Sequence, residues 1–72
     1  MEQREDGPLK LSALEQRILA LLAEGRQSKE IAAEVMRSKP TVEFHVRALY
    51  AKLGARSRAH LVALAYRAGL LD

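Results

Sequence analysis

Apolar residues along this chain recur at helical spacing, and no stretch alternates as a strand would. Leu14, Ile18, Leu21 and Leu22 stand at i, i+4, i+7 and i+8, with Leu19 at one edge of the stripe. Ser12-Ala13-Leu14-Glu15 has the S-x-x-E form of a capping box, so a first helix is predicted from Ala13, with Gly25 placed to close it. Ile31 and Val35, four apart in KEIAAEVM, predict a short second helix capped by Gln27 or Ser28. Arg37-Ser38-Lys39 reads as the turn that follows.

The longest periodic stretch is Ser38 to Leu53, SKPTVEFHVRALYAKL. At about 100° per residue, Val42, Val46, Leu49 and Leu53 fall in one narrow stripe suited to a core. Phe44 lies roughly opposite, at ~190° from the middle of that stripe, with Arg47, Ala48 and Ala51 around it and Pro40 near its start. Ser38 is suited to cap this helix, and Pro40 is tolerated because first-turn amides have no partner within the helix. Gly54 ends it, and Ser57 caps a fourth helix predicted over Arg58 to Ala68, with Gly69 beyond. There Leu61, Leu64, Ala65 and Ala68 make one stripe, and Val62 and Tyr66 make a second pair four apart. The expectation is an all-α domain of four helices over residues 11–72 behind a flexible leader of residues 1–10, with the second and third helices joined as a helix-turn-helix.

Composition adds little until it is divided along the chain. A length of 72 residues allows one small domain, and without cysteine neither disulfides nor thiolate metal sites can staple it. The net charge is +3, but residues 1–24 carry three basic and five acidic side chains while residues 26–58 carry eight basic and three acidic, so the middle alone has +5. A positive middle between acidic and neutral ends is the footprint of a polyanion binder, although a solvated basic surface gives the same pattern. No apolar run reaches the ~18 residues of a membrane span and no signal peptide is visible, so a cytoplasmic protein is expected. His45 and His60 stand apart from other ligand types, and no nucleophile, base and orienting group can be assembled, so neither a metal, a cofactor nor an enzyme is expected.

Residues 25–58, GRQSKEIAAEVMRSKPTVEFHVRALYAKLGARSR, resemble the helix-turn-helix signature of LuxR/GerE-type bacterial transcription factors. The positions that carry the resemblance are Lys29-Glu30-Ile31-Ala32, Ser38, Thr41-Val42, His45-Val46, Lys52-Leu53-Gly54 and Arg56-Ser57-Arg58. Ser12, Glu15, Ile18 and Leu19 fit the family's opening pattern as well. The resemblance implies a DNA-binding domain whose third helix enters the major groove, with Glu43, Phe44 and Arg47 at base-contacting positions. It further implies phosphate contacts from Lys29, Thr41, His45, Lys52 and the Arg56-Ser57-Arg58 connector, and a homodimer made through Val62 and Tyr66 of the fourth helix. Glu43 and Pro40 depart from the family, which often has a basic and a polar residue there.

The residues support that expectation chemically. Arg47 can donate twice to guanine O6 and N7, Glu43 can accept from a cytosine amino group, and Phe44 can touch a thymine methyl. Lys29, Lys39, Thr41, His45, Lys52, Arg56, Ser57 and Arg58 lie to the sides, where phosphate binding sets register without reading sequence. A surface ion pair between Glu43 and Arg47, and packing roles for Tyr50 and Tyr66 at the core margin, are the plainer readings of those residues. The expected partners are double-stranded DNA, a second copy of the chain and RNA polymerase, in the bacterial nucleoid. A helical protein-interaction module using the Phe44 face and the Val62/Tyr66 face is the alternative.

Overall fold

The computed structural model describes residues 10–72. The expected leader, residues 1–10, lies outside the described residues but for Lys10. Four helices follow one another: α1 (Ala13–Ala23), α2 (Ser28–Val35), α3 (Lys39–Leu53) and α4 (Arg58–Arg67), with no strand among the described residues.

Each helix starts where a side chain can satisfy its free amides. The Ser12 hydroxyl accepts from the Glu15 N–H at 3.1 Å and the Glu15 carboxylate accepts from the Ser12 N–H at 3.1 Å, closing the expected capping box. Glu30 accepts from the Gln27 N–H at 2.9 Å, which makes Gln27 rather than Ser28 the N-cap of α2. Ser38 accepts from the Thr41 N–H at 3.3 Å and Ser57 from the His60 N–H at 3.1 Å, opening α3 and α4.

One core results. Ile18, Leu19, Leu21 and Leu22 of α1, Ile31 and Ala32 of α2, Val42 and Leu49 of α3, and Leu61 and Ala65 of α4 are all buried together. Val46 and Leu53, expected on the same stripe of α3, are half-buried against that core, as are Leu14 and Tyr50. Tyr66 differs from the expected packing role, being 51% exposed. The tail beyond α4 also closes over the core through Leu70 and Leu71, and the Leu70 carbonyl accepts from the Gln16 side-chain amide of α1.

The turn between α2 and α3 departs by one residue from expectation. Met36 does not extend α2 but stands at its C-cap with φ 58 and ψ 46, so the turn is Met36–Ser38 and Lys39 is already helical. Its left-handed backbone lets the Met36 N–H reach the Ala32 carbonyl, and the Arg37 guanidinium donates to the Val35 and Met36 carbonyls at 3.3 Å each. A residue with a Cβ is strained there by about 1–2 kcal/mol, and the Met36 side chain is 85% exposed, so packing returns little. Met36→Gly should therefore raise stability by roughly 0.5 kcal/mol, after allowing for the freedom glycine adds to the unfolded chain. Urea denaturation checks this, and a destabilised variant would contradict it.

Candidate nucleic-acid interface

The side of α3 turned away from buried Val42 and Leu49 presents Pro40, Phe44, Arg47 and Ala51, all exposed. Phe44 is 62% exposed although it is the chain's one phenylalanine. Arg47 has no hydrogen bond or ion pair among the described residues. Glu43 stands nearer the flank, half-buried, and its carboxylate lies 4.0 Å from Lys39 one turn earlier rather than against Arg47. Arg47 is thus left without the internal partner that the plainer reading gave it.

The flanking residues expected on phosphate divide into two groups. Lys29, in the first turn of α2, and the Arg56 guanidinium, in the connector before α4, are exposed and unpaired among the described residues. Lys39 is exposed with only its distant contact to Glu43, and the Thr41 hydroxyl accepts from the Ser38 hydroxyl at 2.9 Å. Lys52 and Arg58, by contrast, are bound within the protein. The Lys52 ammonium donates to Glu15 Oε1 at 2.8 Å, joining the far end of α3 to the start of α1. Arg58 donates through Nε to the Leu22 carbonyl at 3.2 Å and through its terminal nitrogen to the Arg26 carbonyl, so a cation closes the C-terminal end of α1. Ser57 serves as the α4 cap, and His60 Nδ1 accepts from the Arg56 N–H at 3.1 Å, which shapes the connector.

Glu15 is the residue that the spacing alone undervalued. Its side chain is 9% exposed, and around it gather the Ser12 N–H, Lys52 and, at 4.0 Å from Oε2, Nδ1 of His45. A buried carboxylate persists only if it is paired and hydrogen-bonded, and these are its partners. The Lys52 hydrogen bond holds the Glu15 carboxyl below its ordinary 4.5; burial opposes that, while the Ser12 N–H and the charges of Lys52 and His45 add to it. The signal was present in the sequence, since a Glu at the third helical position was assigned to the capping box, but its second partner lies 37 residues away.

Beside Arg47, a shallow groove of about 710 Å³ runs along the C-terminal half of α3, lined by Val46, Arg47, Tyr50, Ala51, Gly54 and Ala55. On α4, Val62 is half-buried and Tyr66 exposed, one turn apart. Among the described residues no group of three or more His, Cys, Asp or Glu side chains is placed to hold a metal, and no helix is long and apolar enough to cross a membrane.

A carboxyl with a lowered folded pKa stabilises the fold above its unfolded value and loses that contribution as pH falls through the folded one. Stability should therefore decline in acid below about pH 4.5, and Glu15→Gln, which keeps an acceptor for the capping box, should decline less steeply. At neutral pH, Lys52→Ala should cost about 1–2 kcal/mol, because it strands a buried carboxylate while removing a partly exposed cation. Denaturant titrations from pH 3 to 7 measure both effects; identical acid profiles for wild type and Glu15→Gln would remove Glu15 from this role.

The family model of bacterial regulatory proteins of the luxR family, GerE, matches residues 9–65. The probable transcriptional regulatory protein NarL of Mycobacterium tuberculosis is 47% identical over 62 residues, which are 86% of this chain and 29% of that protein. The oxygen regulatory protein NreC of Staphylococcus aureus is 42% identical over 62 residues, again 86% of this chain and 29% of its own length. The chain thus spans about 29% of these curated relatives. Among solved structures, the transcription factor GerE superposes with a TM-score of 0.80 at 29% identity, covering 86% of this chain and 92% of that one. The LuxR-type receptor VqmA of Vibrio cholerae, solved as a dimer without its target DNA, gives 0.83 at 34% identity, covering 99% of this chain and 33% of that one. A family model that matches residues 9–65, with a relative 47% identical over 86% of the chain and a solved structure that superposes over the same share, leaves one assignment: the chain belongs to the luxR family of bacterial regulatory proteins.

Proposed function

We propose that this domain binds double-stranded DNA in a sequence-specific manner and serves as the DNA-binding part of a transcriptional regulator. The observation that carries the reading is the outward side of α3, where an unpaired Arg47 stands beside an exposed Phe44. A helix of about 10–12 Å diameter fits the major groove of B-DNA. Arg47 reads guanine, Phe44 meets a thymine methyl, and Glu43 at the flank accepts from cytosine when Lys39 turns to phosphate. Lys29, Lys39, Thr41, His45, Arg56 and Ser57 set the register on the backbone, while Lys52 and Arg58 hold the helices that present them. Pairing of two copies through Val62 and Tyr66 of α4 places two α3 helices on half-sites about one helical turn apart. RNA polymerase is the further partner this role entails, and the nucleoid of the cytoplasm is its place.

The exposed Phe44 and Tyr66 also favour a second reading, a helical module that docks protein rather than DNA. Retention on duplex DNA separates the two, since displaced counterions make DNA affinity fall steeply with salt. Given a duplex selected from a random pool, Arg47→Ala should lose about 1–3 kcal/mol of discrimination at one base pair. Lys29→Ala should weaken specific and random duplexes alike and reduce the salt slope by about one. Equal losses on both kinds of duplex for Arg47→Ala would remove the base-reading assignment.

A further inference from the structure

The two ring nitrogens of His45 lie in unlike settings. Nδ1 is buried without a hydrogen-bond partner, 4.0 Å from Oε2 of Glu15. The other carboxylate oxygen, Oε1, already accepts from Lys52 and the Ser12 N–H, so Oε2 is the oxygen with capacity left. Nε2 is not closed off in this way and has no partner among the described residues. His45 ends α3's first two turns on the flank facing α1, beside the reading side, and its ring meets that of Phe44 edge to face at 5.6 Å and 78°.

A carboxylate accepts hydrogen bonds and cannot donate them, and the same holds for a backbone phosphate. A ring held between the two satisfies both only when both nitrogens carry hydrogen. The neutral ring has one N–H, so either Glu15 or the phosphate would face a lone pair. From this geometry, and resting on the DNA-binding reading above, we propose that His45 engages the DNA backbone as an imidazolium clamped by Glu15, so that duplex binding takes up a proton. Glu15 is then a positioning residue: it orients Nδ1 and stabilises the charge, while Nε2–H meets the phosphate. The charged groups at this junction are Glu15 from α1 and Lys52 from α3, whose ammonium sits on Oε1, and no ion pair joins the ring to α2 or α4 among the described residues.

The chain has two histidines, which makes the test clean. Affinity for the selected duplex is measured from pH 8.5 to 6.0 at constant ionic strength, with calorimetry in two buffers of different ionisation heat. Wild type should tighten roughly fivefold as pH falls through the range where imidazoles gain charge, and should show proton uptake between the buffers. His45→Gln should give a flat profile and Glu15→Gln a markedly shallower one, while His60→Gln, which removes the acceptor of the Arg56 N–H and can lower affinity as a whole, should keep the proton uptake between the buffers. Thermal melts establish that each variant is folded; if His45→Gln is not, the buffer dependence of wild type against Glu15→Gln decides. Wild-type binding without proton uptake, or a pH profile that survives in His45→Gln, overturns the proposal while leaving DNA binding intact. Failure of wild type to bind any duplex at any pH overturns the DNA-binding reading, and this inference with it.

Discussion

The Glu15 carboxylate is the constraint on which the arrangement of helices turns. It sits at the start of α1, closes that helix's capping box, and receives Lys52 from the last turn of α3. Hydrophobic burial alone would let α3 rotate or slide over α1, because Val42, Leu49 and their neighbours offer a stripe rather than a lock. A buried acceptor with a directional partner at each side does not permit that freedom, since any slip leaves a charge unpaired. The rotation of α3 about its own axis decides whether Phe44 and Arg47 point to solvent, so the ion pair at one end governs what the opposite side presents.

A second lock acts at the other end of α1. Arg58 reaches across from the start of α4 to the Leu22 carbonyl, which also accepts from the Gly25 N–H, and to the Arg26 carbonyl just beyond α1, where a cation meets the negative end of the helix. The basic middle of the chain is therefore divided between two tasks. Lys52 and Arg58 hold helices together, Arg37 closes the end of α2, and Lys29, Arg47 and Arg56 remain open. A net count of +5 over residues 26–58 overstates the charge available to a polyanion, although the sign and the location of the excess are unchanged.

The helices were legible in the sequence because their signals are local. Capping serines at 12, 38 and 57, the glycine at 54 with φ 72, and apolar stripes three and four apart each act within a few residues. Two local details were displaced: α2 stops at Val35 because Met36 takes the left-handed cap, and Glu43 leans toward Lys39 rather than Arg47. Neither rotamer choice nor a strained non-glycine cap leaves a mark in spacing. What spacing could not give at all was the pairing of Glu15 with Lys52, or of Arg58 with the end of α1, because both partners lie more than thirty residues apart in the chain. The outward residues of α3 were legible for the opposite reason. An aromatic and an arginine on the side away from the core need no long-range contact to be noticed, only the absence of one.

His45 and Phe44 show how the two sides of α3 depend on one another. They are consecutive, so their side chains leave the helix about 100° apart, one toward the Glu15 cluster and one toward solvent. Their rings nonetheless meet edge to face, which means that the orientation of the exposed ring is set partly by the enclosed one. A change in the charge or tilt of His45 is therefore felt at Phe44 without any movement of the backbone. A junction where a buried carboxylate, an imidazole and an exposed aromatic adjoin is the place among the described residues where core chemistry and surface recognition can be coupled most directly.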